Sequence, residues 1–117
     1  QKRLFSADDQ GDAFIWELES GKKLTALNLK RGQYMITAAR FSQDATKLLL
    51  GFAGRYVRLW NSTDGRLLKA WRTPNRVKGW VPQGSTVYAV AFNESESAVI
   101  AQSSNGLGRA WSINPAD

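Results

Sequence analysis

The chain has 117 residues, 43% of them hydrophobic and 22% charged, and a formal net charge of +6; this is the composition of a globular domain with a modest core, not of a disordered tail. It contains no Cys and no His, so disulfides, thiolate nucleophiles, Cys- or His-based metal sites and the usual catalytic triads cannot be built within it. No apolar run approaches the ~20 residues of a membrane span, no carboxylate pair stands in a catalytic context, and the expectation is a non-enzymatic chain with no cofactor and no metal.

Taken in order, the chain reads as short β-strands punctuated by Gly, Asn, Asp and Ser, with no helical periodicity. Strands are expected at 2–7, 13–18 and 23–29, then at 36–41, 47–53, 56–61 and 67–73, then at 86–92, 97–103 and 107–113. Turns fall at Ser42–Ala45 and Gly54–Arg55 in the central group. Apolar residues run consecutively at Leu48, Leu49 and Leu50 instead of alternating, as expected of a sheet covered on both faces.

The three groups repeat one another. Trp16, Trp60 and Trp111 each close an apolar strand, and Gly21 and Gly65 each follow their tryptophan by five residues. Phe41 precedes Trp60 by the same 19 residues that separate Phe92 from Trp111. The tryptophans are 44 and 51 residues apart; the first spacing is that of a four-stranded propeller blade, and the second holds an insertion of about seven residues.

These residues carry a resemblance to the WD-repeat family of β-propellers. It is densest in Phe41-Ser42-Gln43-Asp44, Leu48-Leu49-Leu50, Val57-Arg58-Leu59-Trp60-Asn61 and Thr63-Asp64-Gly65, and it continues through Ser6 to Trp16 and Phe92 to Trp111. The resemblance implies an all-β fold, a β-propeller fragment of four-stranded antiparallel blades. Residues 1–117 then form part of one propeller domain, with a partial blade at 2–29, a full blade at 36–73 and a partial blade at 86–113. Ten strands are too few to close a ring, so the expectation is a piece of a longer propeller. Several family positions differ here. The Gly-His pair appears as Gly32-Gln33, and the expected aspartate is Gln10, Gly54 or Asn105. The small hydroxyl residue of the second strand survives only as Ser6, with Leu50 and Ala101 in the other copies. The family's hydrogen-bond network is therefore incomplete in every copy, and apolar packing must take its place. The run W-N-S-T-D-G-R also resembles the tryptophan motifs of quinoprotein-like propellers.

Charge is unevenly spread. Residues 31–80 carry ten Lys and Arg against Asp44 and Asp64. Within them, the stretch from Lys69 to Trp80 interleaves Lys69, Arg72, Arg76 and Lys78 with Trp71 and Trp80, beside the turn at Arg55. Arg and Trp dominate interface energetics, and long loops on a rigid scaffold tend to carry function. Arg55, Lys69, Trp71, Arg72, Arg76, Lys78 and Trp80 are thus the candidate partner-binding residues; the plainer reading makes Trp71 a strand cap and Trp80 a loop anchor. The expected function is a non-catalytic scaffold that binds an acidic protein or peptide, with the rest of the propeller or other subunits of a complex as further partners. Nucleic acid is the alternative partner, since cations with stacking aromatics also suit phosphates and bases; a non-catalytic part of a propeller enzyme is the third reading. The acidic run Asp8-Asp9-Gln10-Gly11-Asp12 lacks the closing acid of a calcium loop and reads as an Asx turn.

Overall fold

The computed structural model describes residues 2–8, 12–29, 35–73, 86–104 and 106–113. They form ten strands: β1 (Arg3–Ala7), β2 (Asp12–Glu17), β3 (Lys23–Asn28), β4 (Ile36–Phe41), β5 (Lys47–Phe52), β6 (Tyr56–Asn61), β7 (Leu67–Arg72), β8 (Val87–Phe92), β9 (Ala98–Ser103) and β10 (Gly108–Ser112). Each expected strand is present, with ends shifted by at most a residue or so. The strands pair in chain order into three antiparallel sheets, β1-β2-β3, β4-β5-β6-β7 and β8-β9-β10.

The sequence repeat is also a repeat of backbone hydrogen bonds. Leu18 N–H donates to Lys2 O, Ser62 N–H to Thr46 O and Ile113 N–H to Ser97 O, at 3.2, 2.9 and 3.0 Å. The β2–β3 and β6–β7 turns share one pattern: Gly21 N–H donates to Glu17 O and Gly65 N–H to Asn61 O, both at 2.9 Å. The β4–β5 and β8–β9 turns match as well, with Ala45 and Glu96 both left-handed at φ 63° and 58°. The β5–β6 turn is tighter, with three residues between strands whose register sets Gly51 opposite Val57; Gly54 and Arg55 in it both have positive φ, 84° and 73°.

The sheets stack through two cores. Between the first and second lie Ala13, Ile15 and Leu27 against Leu48, Leu50, Phe52 and Trp60. Between the second and third lie Leu49, Val57 and Leu59 against Val87, Val90, Val99 and Ala101. The middle sheet is therefore apolar on both faces, which is why Leu48, Leu49 and Leu50 are all fully buried. Two glycines allow close approach between sheets: a Cβ at Gly51 would meet Val87 Cγ1 at 2.5 Å, and one at Gly65 would meet Ala26 O at 2.5 Å. Polar clasps bind the sheet edges. Arg3 donates to Ser62 Oγ at 2.7 Å and Ala45 O at 3.2 Å, while Gln43 N–H donates to Glu96 Oε2 at 2.8 Å. The Thr37 hydroxyl donates to the Val87 carbonyl.

Candidate functional site

Of the basic and aromatic residues singled out in the sequence, Lys69, Trp71 and Arg72 lie on β7, which among the described residues pairs only with β6 and is the outer edge of the middle sheet. Its register sets Arg72 opposite Tyr56, Trp71 opposite Val57 and Lys69 opposite Leu59. Because side chains alternate along a strand, Lys69 and Trp71 share the side with Val57 and Leu59, toward the third sheet. Arg72 and Tyr56 share the side turned toward the first sheet. The structure thus divides among two faces what the sequence presents as one run.

On the third-sheet side, Trp71 stacks on Trp111 of β10, with ring centroids 5.4 Å apart and planes 14° from parallel. Both rings are half-buried, so each packs against the core and keeps an edge in solvent. On the first-sheet side, the Arg72 guanidinium lies 4.7 Å from the Tyr56 ring centroid, and its Nε donates to Gly54 O at 3.4 Å. The Arg58 guanidinium is 5.8 Å from the same ring and 6.0 Å from that of Phe52. Such pairs contribute more as they are desolvated.

Arg55 is placed differently. It is 4% exposed, and its guanidinium donates to the carbonyl of Thr73. Thr73 N–H returns a bond to Arg55 O at 2.8 Å, and Thr73 is itself buried. Burial lowers the Arg55 pKa from its ordinary value, and the neighbouring charge of Arg72 adds to the effect. Among the described residues, no carboxylate pairs with Arg55 or Arg72. Arg55 therefore pins the chain just beyond β7 and has no exposed head to offer. Arg76, Lys78 and Trp80 lie outside the described residues.

Sequence reasoning missed Tyr56 and Trp111 as members of this region. Tyr56 was signalled only by its register opposite Arg72, which depends on the β6–β7 pairing. Trp111 closes its strand as Trp16 and Trp60 do, yet of the three only Trp60 is fully enclosed, at 3% exposure. The surviving hydroxyl does what its position implies: Trp16 Nε1 donates to Ser6 Oγ at 2.9 Å, whereas Trp60 Nε1 is buried with no partner. Asp8 closes the β1–β2 connection by accepting from Asp12 N–H at 3.0 Å, four residues on, a longer reach than the two residues of an Asx turn. No group of three or more acids that could hold a metal occurs among the described residues.

No family model matches the sequence. The chain is similar to the protein named eukaryotic translation initiation factor 3 subunit I in two fungi. Against that of Aspergillus oryzae it is 33% identical over 89 residues, 74% of this chain and 26% of the relative. Against that of Neurospora crassa it is 27% identical over 110 residues, 94% of this chain and 28% of the relative. The chain thus spans about a quarter of the length of the curated relatives it matches. Among solved structures, it resembles the C-terminal WD40 domain of Sif2 with a TM-score of 0.69 at 16% identity, over 94% of this chain and 30% of that one. It resembles the computationally designed Ika4 protein with a TM-score of 0.71 at 23% identity, over 97% of this chain and 62% of that one. At these identities the structural likenesses speak for the fold alone.

Proposed function

We propose that the chain is a segment of a WD-repeat β-propeller and serves as a non-catalytic scaffold in a multi-subunit assembly of translation initiation, holding an acidic protein surface along the edge of β7. The assembly is inferred from the names of the two fungal relatives. The observation that carries the binding surface is the edge strand itself. It offers Arg72 and Lys69 on its two sides, next to the part-exposed Trp71–Trp111 stack. A cation fixed on an aromatic ring has already lost much of its side-chain freedom, so less is lost again when a carboxylate arrives. Arg55 serves this surface from beneath, by holding Thr73 where β7 passes into the segment that carries Arg76, Lys78 and Trp80.

The test pairs capture with specificity. A tagged copy of the chain is expected to co-purify initiation-factor subunits, and a fluorescent peptide rich in Asp and Glu is expected to bind it in an anisotropy titration. The double variants Lys69→Glu with Arg72→Glu, and Arg76→Glu with Lys78→Glu, should each weaken peptide binding by roughly tenfold or more, since rim charges govern complementarity, while leaving the melting temperature unchanged. Unchanged binding by both variants would refute the surface. Tighter binding of mixed-sequence RNA, falling steeply with salt, would replace the acidic partner with nucleic acid.

A further inference from the structure

The two ends of the middle sheet differ in charge. At one end lie the β4–β5 and β6–β7 turns, and each holds an aspartate whose carboxylate is engaged locally. Asp44 accepts from Thr46 and Ser42, and Asp64 accepts from Arg66 N–H at 2.9 Å. At the other end lie the β5–β6 turn with Arg55 and the last residue of β7, Arg72. Residues 20–93 contain no Asp or Glu besides Asp44 and Asp64, so this long stretch offers the second end no carboxylate. Asp8 and Asp12, at the β1–β2 connection, do not pair with Arg55 or Arg72 either.

The two arginines are held close without a counter-charge. Arg55 is 4% exposed, and its Nε is buried with no acceptor. Its φ of 73° is left-handed, a backbone that glycine or asparagine adopts more readily than arginine. Burial and the charge of Arg72 both act against its protonated form. Arg72 is exposed, fixed on the Tyr56 ring at 4.7 Å and by Gly54 O at 3.4 Å, and its terminal nitrogens have no acceptor among the described residues. The Arg58 guanidinium shares the Tyr56 ring at 5.8 Å and adds positive charge on the same side. A buried cation beside a second one is costly until an anion offsets both, and a residue that combines such burial with a strained backbone is the kind found at binding sites.

We propose that Arg72, backed from beneath by Arg55, is a phosphate subsite that takes the phosphate monoester of a phosphorylated side chain on the bound protein. The subsite presupposes that β7 holds an acidic protein surface, and it names the group that this surface selects. A carboxylate brings a single charge, whereas a phosphate monoester brings about −1.5 to −2 at neutral pH and so balances two guanidiniums at once. Its oxygens also accept the paired N–H groups of a guanidinium side by side. Tyr56 is a positioning residue, because it fixes the Arg72 guanidinium before the ligand arrives.

The experiment has two arms. In the first, an acid-rich fluorescent peptide is made in three forms that differ at one central residue, serine, glutamate or phosphoserine, and each is titrated at constant ionic strength. The phosphoserine form should bind about tenfold or more tighter than the glutamate form. Arg72→Lys keeps the charge and loses the fork, so it should remove most of that preference while the glutamate form binds nearly as before. In the second arm, inorganic phosphate at about 10 mM should raise the melting temperature relative to chloride of equal ionic strength, since an anion that binds only the folded chain stabilises it. Arg72→Gln should lose that rise. Equal binding of the glutamate and phosphoserine forms would leave the acidic-partner surface standing and overturn the subsite. Failure of all three forms to bind would remove the surface and the subsite with it. A rise in melting temperature that Arg72→Gln retains would reveal a general anion effect and would count equally against the subsite. Displacement of the phosphoserine peptide by mixed-sequence RNA would assign the guanidiniums to a nucleic-acid backbone and overturn it as well.

Discussion

Trp60 has the most enclosed indole of the three and lacks a partner for its N–H, because the position that holds Ser6 in the first sheet is Leu50 in the second. The sheet keeps its register because Leu50 is fully buried in the core it shares with Ala13, Ile15 and Leu27. Ser6→Ala should cost about 1 kcal/mol, the net worth of one hydrogen bond, and Leu50→Ala about 2–5 kcal/mol through the cavity it leaves; urea denaturation measures both. A Leu50→Ala variant no less stable than Ser6→Ala would contradict the claim that packing has replaced the network. Asp44 provides a pH signature. Its carboxylate accepts from the Thr46 hydroxyl at 2.7 Å, from Thr46 N–H at 3.0 Å and from the Ser42 hydroxyl at 2.9 Å. These bonds, led by those from Thr46, lower its pKa from 3.8 to about 2. A depressed folded-state value means that the stabilisation is complete above the unfolded value and is lost as pH falls from about 4 toward 2. Asp44→Ala should therefore lower the urea midpoint at neutral pH and shrink its further decline over that acid range.

Strand β7 shows where sequence reading succeeds and where it stops. Its existence and edge position follow from the repeat, since Gly65 matches Gly21 and the strand after it completes the set of four. The division of its side chains does not follow from composition, because a run rich in Lys, Arg and Trp looks uniform in one dimension. Only the pairing of Trp71 with Val57 and of Arg72 with Tyr56 sends the two residues to opposite faces. Arg55 was harder still. An arginine in a turn reads as a surface charge, and its burial depends on the Thr73 carbonyl 18 residues away. The Trp71–Trp111 stack likewise joins two sheets across the insertion and leaves no local signal. A double-mutant cycle with Trp71→Ala and Trp111→Ala should return a coupling of about 0.5–1.5 kcal/mol, the usual range for aromatic pairs. A coupling near zero would place the rings side by side without mutual support.

At the scale of the molecule, the three sheets fill 47 × 34 × 20 Å and divide the work. Apolar faces set the stacking, with close approaches at Gly51 and Gly65. Gly51→Val should destabilise by about 1–3 kcal/mol through overpacking against Val87. The edge of β7 presents charge and aromatic surface together, as Lys23 over Phe14 does on the first sheet. Amide hydrogen exchange, followed by mass spectrometry with and without a saturating Asp/Glu-rich peptide, tests that division most directly. Peptides covering residues 67–80 should exchange more slowly when the acidic ligand is bound, while those covering β2 and β3 should not change. Binding that protects β2 and β3 and leaves 67–80 untouched would contradict the account.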